Sequence, residues 1–226
     1  RGAYRTETAR QLMTMVPMWG LKAPPDTREC LRKDLDLFRF LRREGVAGRW
    51  SYMFHPIVKG DEPIYYAQRT GHDRTKACVI FKHRATGPVV IFPRGLLPEH
   101  RYTVEFAVSP ERAVRTGADL MANGIAIAAQ APGELIFLGL PNRPGSGRDT
   151  AAPAPPPSAI ARRESNIGHA GVGVYWSAGK DDNWISYYEV KRGDEYLGRS
   201  ATGTYYFDRS QGWDPKADYF VRTVDG

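Results

Sequence analysis

Cysteine is scarce in this 226-residue chain, with only Cys30 and Cys78. That excludes a disulfide framework, and their spacing matches no zinc pattern. Long apolar runs are absent as well. Nothing approaches the ~18 residues of a membrane-spanning helix, and mean hydropathy is −0.48, so no integral membrane segment is expected. The chain opens on Arg1-Gly-Ala-Tyr-Arg5, with no methionine and no apolar h-region of a signal peptide. The five histidines (His55, His72, His83, His100 and His169) are scattered, which predicts no metal site. Ser177, Ser186 and Ser210 lack the Gly-x-Ser-x-Gly setting of an activated nucleophile. Gly145-Ser-Gly147 has no strand before it and no helix after it, so it is not a phosphate loop. No cofactor is expected.

Hydrophobic residues make up 42% and charged residues 25% of the chain, an ordinary globular composition. The net charge of +7 is unevenly spread. Residues 1–150 hold 23 basic and 15 acidic groups, net +8, while residues 151–226 hold 9 and 10, net −1. Basic and acidic residues interleave in the positive part. This reads as a solvated or partner-facing Arg-rich helix and not as a nucleic-acid surface.

Three regimes follow one another. Residues 1–45 read as helical. Asp26 with Glu29 forms a capping-box pattern, and Leu31, Leu35, Phe38 and Leu41 recur at helical spacing up to a Gly45 cap. On this reading Asp34 and Asp36 are solvated. A shorter helix is predicted from Thr6 to about Val16, ended by Pro17. Residues 46–141 are strand-like. Seven segments are predicted: Trp50–His55, Ile64–Gln68, Lys76–His83, Val89–Phe92, Tyr102–Val108, Gly124–Ala128 and Glu134–Leu138. Short strands at about ten-residue spacing suggest an antiparallel β-sandwich. Arg115–Gly124 reads as a turn-rich connection with Leu120 and Met121 tucked beneath. Residues 142–157 form a Pro-rich linker, read as an extended spacer. Residues 158–226 are again all-β. The fold class is therefore mainly β.

Residues 158–226 resemble a fibronectin type III domain through Trp176 in the second strand, Ser186–Arg192 as the third and Asp218–Asp225 as the sixth. The resemblance implies that Tyr219 is a buried corner tyrosine whose hydroxyl reaches back to backbone. It also implies a missing seventh strand, and with it the expectation that the natural protein continues past Gly226 and before Arg1.

Residues 1–141 resemble the end of a retaining glycoside hydrolase of the α-galactosidase (melibiase) type. The matching pieces are Leu31–Leu41 as the last barrel helix, Gly48-Arg-Trp-Ser-Tyr52, Tyr65-Tyr-Ala-Gln-Arg69 and Lys76–Phe81. Gly95-Leu-Leu-Pro-Glu-His-Arg-Tyr-Thr-Val104 and Thr116-Gly-Ala-Asp-Leu-Met-Ala-Asn-Gly124 are the most specific. The resemblance implies a helical remnant of a (β/α)8 barrel over 1–45 and a β-sandwich over 46–141. Retaining glycosidases use two carboxylates ~5–5.5 Å apart. In this family they lie upstream of the final barrel helix, so no catalytic residue is expected here. The expectation is a non-catalytic accessory region of a secreted or periplasmic bacterial enzyme, with the missing barrel and carbohydrate as partners. The alternative is a stand-alone carbohydrate-binding or adhesion protein. Sugars stack on exposed aromatic faces. Trp19 and Trp213 are the candidate carbohydrate-binding residues, the pair Tyr205-Tyr206 is a weaker lead, and Trp50 and Trp184 are expected to fill core.

Overall fold

A computed structural model describes residues 25–60, 65–82, 88–107, 110–127, 133–201 and 203–225. The chain is mainly β, with fifteen strands and two helices among the described residues. It divides into two compact units, parting between Ser146 and Gly147. Trp19, His83 and the helix expected over Thr6–Val16 lie outside the described residues.

Helix α1 spans Pro25–Arg43. It starts two residues earlier than a cap at Asp26 predicts, because Pro25 has its φ preset and no N–H to leave unpaired. Asp26 is therefore inside the first turn and not its cap. The C-terminus ends as expected. Gly45 takes φ 73°, and the amides of Gly45 and Val46 donate to the carbonyls of Arg42 and Leu41 at 3.1 and 2.9 Å. The buried stripe differs from the expected one. Phe40 and Leu41 are buried while Leu35 and Phe38 are only partly so. Asp34 and Asp36, expected in solvent, are 2% and 4% exposed. Asp34 lies seven residues before Leu41, on the same helical stripe. Asp36 pairs with Arg39 at 3.2 Å.

The first unit contains β1 (Tyr52–Phe54), β2 (Ile57–Lys59), β3 (Tyr65–Thr70), β4 (Ala77–Lys82), β5 (Val89–Phe92), β6 (Arg101–Phe106), β7 (Arg112–Thr116), α2 (Gly117–Asn123), β8 (Ile125–Ile127) and β9 (Gly133–Leu138). They form two antiparallel sheets, β1-β3-β4-β9-β6-β7 and β2-β5-β8. Alternate side chains of β4, β6 and β9 meet Val89 and Ile91 of β5 and Ile125 and Ile127 of β8 in one core. This is a sandwich sealed on one side by Leu120 of α2. A fully buried side chain of this size contributes ~1.5–3 kcal/mol, so Val79, Phe81, Ile91 and Ile136, all at 0% exposure, hold the sheets together. Gln68 is buried between them. It donates to the Arg94 carbonyl at 2.6 Å and accepts from the Arg94 amide at 2.9 Å, so the polar group tying the sheets is satisfied.

Two strands were not expected. Ile57–Lys59 is only three residues long, and Arg112–Thr116 is an edge strand whose exposed side chains carry no inward alternation. Its arginines suit an edge that must not pair with a stranger. Arg115–Gly124, expected to be a connection, is the end of this strand followed by α2. Thr116 caps that helix by accepting from the Asp119 amide at 3.2 Å. Arg115 and Asn123 hold the Asp119 carboxyl down to about 2. Trp50, expected in the core, is 74% exposed, because β1 begins two residues later and Trp50 precedes the paired register.

The second unit contains β10 (Ala159–Asn166), β11 (His169–Trp176), β12 (Ile185–Arg192), β13 (Glu195–Ser200), β14 (Tyr205–Asp208) and β15 (Tyr219–Asp225). Two three-stranded antiparallel sheets, β10-β11-β14 and β13-β12-β15, enclose Val172, Val174, Trp176, Tyr188 and Val190. Trp176 and Tyr188 pack with ring centroids 5.3 Å apart. The Pro-rich stretch is tied in at its end. The Ala154 amide donates to Lys180 O at 2.9 Å, and the Thr223 hydroxyl donates to Ala154 O at 2.8 Å. Tyr219 does not bond to backbone as expected. Its hydroxyl donates to Asp208 Oδ2 at 2.9 Å, because a buried carboxylate lies in its reach and outcompetes a neutral carbonyl. Among the described residues no helix is long and apolar enough to cross a membrane.

Candidate functional site

The two motif-bearing stretches 95–104 and 116–124 meet in the first unit. The Gly117 amide donates to His100 O at 2.9 Å, and the Ala118 amide to Pro98 O at 2.8 Å. A Cβ on Gly117 would sit 2.8 Å from Leu97 C and closer still to its carbonyl oxygen. The buried Tyr102 ring completes the joint. Its hydroxyl donates to Arg74 O at 2.5 Å and accepts from the Leu97 amide at 3.0 Å. Burial, with Asp73 nearby, pushes that hydroxyl above the ordinary tyrosine range against the Leu97 bond. Gly95, at φ 66°, lies under the Phe54 ring, which a Cβ would approach to 2.5 Å. These contacts hold the two stretches together, and Leu96, Val104 and Leu120 pass from them into the core.

The remaining histidines do not converge. His55 packs edge-on to Tyr66, His72 stacks on Tyr52 at 5.7 Å and His100 packs on Tyr102, while His169 is exposed. Cys78 is fully buried, and burial pushes its thiol up to about 12 against the pull of Arg143. That suits a packed thiol and not a nucleophile.

The second unit holds three polar clusters. In the first, Asp208 is 2% exposed. It accepts from Arg192 at 3.0 Å, from Tyr219 at 2.9 Å and from the Ser210 amide and hydroxyl at 2.9 and 2.6 Å. Burial opposes its charge, but these bonds outweigh burial and hold the carboxyl below its ordinary range. The same burial, and the Asp208 charge, push Tyr219 up to about 12. In the second, one carboxylate oxygen each of Asp149, Asp181 and Asp182 lies within 4.8 Å of the others. Both Asp149 oxygens are shut off from solvent. Asp181 Oδ2 accepts from the Trp184 and Asn183 amides at 2.5 and 3.3 Å. Desolvation, then Asp181, Asp182 and Asp225, raise the Asp149 carboxyl above its ordinary range against a bond from Asn183. These are the residues that could hold a hard cation. Sequence reasoning passed over them because Asp149 stands in the Pro-rich stretch, far from the pair.

The third cluster lies on the outward face of β10-β11-β14. Glu164 accepts from Tyr175 at 2.5 Å and from the Tyr205 hydroxyl, which itself accepts from Asn166 at 3.2 Å. The two tyrosine rings are 4.8 Å apart, and the Arg162 guanidinium lies 4.4 Å over Tyr175. The tyrosine bonds outweigh desolvation and hold Glu164 below its ordinary range. Of the aromatics nominated from sequence, Trp213 is partly buried against the core of the second unit with Arg163 over its ring at 5.6 Å. Trp184 is buried. The adjacent pair splits: Tyr206 turns inward and donates to Leu197 O, and Tyr205 turns outward to Glu164.

No protein-family model matches the chain, and no curated protein matches it. Among solved structures the chain is similar to the α-galactosidase from Lactobacillus brevis, at 14% identity and a TM-score of 0.39. The match covers 55% of this chain and 18% of that one, so the chain spans less than a fifth of the galactosidase's length.

Proposed function

We propose that this chain is a non-catalytic accessory region of an α-galactosidase-type glycoside hydrolase, working outside the cytoplasm. The first unit buttresses the enzyme's barrel. The second is a fibronectin type III-like module that spaces the enzyme or docks it on carbohydrate. The observation that carries this reading is the interlock of residues 95–104 with 116–124. The two stretches most like the family are in direct contact, joined by Gly117, Tyr102 and paired backbone bonds. The separation of the second unit into β10-β11-β14 and β13-β12-β15 around Trp176 supports the module reading.

The test is direct. The purified chain incubated with an aryl-α-galactoside should release no aryl alcohol above blank, and turnover by the chain alone would end the proposal. The coding sequence upstream of Arg1 should hold a (β/α)8 pattern with acidic residues at strand ends. An unrelated upstream sequence would be equally decisive against it.

A further inference from the structure

The central strand of the β10-β11-β14 sheet gives up two of its outward side chains. Positions 171 and 173 are both glycine, and neither needs a left-handed φ. A Cβ on Gly173 would lie 2.5 Å from both carboxylate oxygens of Glu164, and one on Gly171 would meet the Asp208 carbonyl oxygen first and then Cζ of Phe207 at 2.7 Å. Gly173 thus lets a carboxylate from β10 lie across the middle strand, and Gly171 admits the backbone of β14 with the Phe207 ring beside it. Glycine inside a strand weakens it and often marks the close approach of another group. Here the approaching groups are themselves held for display. Tyr175 and Tyr205 fix one oxygen each of Glu164. Arg162, two-thirds exposed, and Ile160, 65% exposed, border the platform.

The charge on this face says what it takes. Of the outward positions of the three strands, only Arg162 and Glu164 are charged, and they cancel. A nucleic acid needs a cationic surplus, and an acidic or basic partner needs the opposite sign. A face of half-buried rings around an oriented carboxylate and guanidinium, with no net charge, complements a neutral polyhydroxyl ligand. Such a ligand has apolar C–H surfaces to lie on rings and hydroxyls to bond to fixed polar groups. We propose that the outward face of β10-β11-β14 is a binding platform for a neutral polysaccharide, with Phe207 and Tyr205 as stacking surfaces and Glu164 and Arg162 as the hydroxyl-orienting pair. This rests on the docking role proposed above for the second unit.

The experiment is affinity electrophoresis of the full chain in native gels containing galactomannan. The wild-type chain should be retarded. Glu164→Gln and Phe207→Ala should each weaken the apparent Kd by about tenfold. Arg162→Ala removes a side chain already mostly in water and tests the same face where the other two perturb the sheet. It should weaken retardation at an unchanged Tm. Trp50→Ala, in the first unit, should leave retardation as it was. Retardation that survives all three platform changes, or that is lost only with Trp50, overturns the platform while leaving carbohydrate docking in place. A wild-type chain that galactomannan does not retard overturns both.

Discussion

Gly117→Ala is the sharpest test of the interlock. Gly117 opens α2 with its Cα against the turn at Leu97, and an added methyl would lie 2.8 Å from Leu97 C and 3.1 Å from Cε2 of Tyr102. The first obstacle is backbone, which cannot rotate away. The second is a ring pinned by two hydrogen bonds. Relief requires α2 to withdraw, which strains the Gly117 and Ala118 amide bonds and loosens Leu120 from the core. Overpacking costs ~1–3 kcal/mol, and one weakened buried hydrogen bond adds ~1 kcal/mol. The sum is about 2–4 kcal/mol, or a fall in Tm of about 6–16 °C for a unit of this size. Calorimetry should show the transition of the first unit moving down while that of the second stays. Gly145→Ala is the control. It takes φ 73° with nothing within 4 Å, so its cost is only the left-handed strain of ~1–2 kcal/mol. A Gly117→Ala chain melting within 2 °C of wild type, on the order of 0.5 kcal/mol, would show that the joint is slack and that the contact argument is wrong.

Tyr102→Phe keeps the ring and removes the hydroxyl that serves Leu97 and Arg74. It should cost about 1–3 kcal/mol in urea unfolding, and a neutral result would mean that water replaces the hydroxyl there. Asp208→Asn should destabilise the second unit by about 2–4 kcal/mol at pH 7, since it leaves Arg192 short of a buried partner. Because the folded carboxyl is held below its unfolded value, its contribution is present above about pH 4 and lost as pH falls through the folded pKa. The wild-type unit should therefore lose Tm below pH 4 and the variant lose less; parallel acid profiles would contradict this. Asp149→Asn should raise Tm at pH 7. The folded carboxyl is raised, so its ionised form opposes folding at neutral pH and the wild type gains stability as pH drops toward 4. A variant less stable than wild type in metal-free buffer would contradict the repulsion inferred among these acids.

The sandwich of the first unit was legible where strands carry inward alternation. Val89–Phe92 falls where expected, and β4, β6, β8 and β9 fall within a few residues, because Val79, Phe81, Val104 and Ile136 all face one core. Arg112–Thr116 was not legible. An edge strand buries little, so selection leaves no period-two pattern in it. Helix α2 was hidden by its seven residues, too few for a period, although Thr116 with Asp119 three residues on is a capping signal that was there to be used. The buried acids of α1 show the opposite limit. Asp34 sits on an apolar stripe, and hydropathy alone assigns it to water.

The two carboxylates of the second unit separate stability from function. Asp208 and Glu164 each accept from tyrosine and lie near arginine, but they stand on opposite faces of one sheet. Asp208 is sealed with Arg192, and a charge removed from water must keep its partners, so packing explains that cluster completely. Glu164 stands at the surface, where hydrogen bonds of this kind contribute ~0.5–1.5 kcal/mol each. Of the two strand glycines, Gly171 is needed by backbone, since a Cβ there would clash first with the Asp208 carbonyl, while Gly173 makes room only for Glu164 and costs ~0.5–1 kcal/mol. A side chain at 173 would turn the Glu164 carboxylate out and release its two tyrosines. Gly173 thus keeps an oriented carboxylate on the open face, which is a reason, independent of the half-buried rings, to look for a ligand there. The sequence shows only the alternation of Gly171-Val-Gly-Val174, which identifies a strand. The groups for which the glycines make room come from β10 and β14, and only the antiparallel register brings them together.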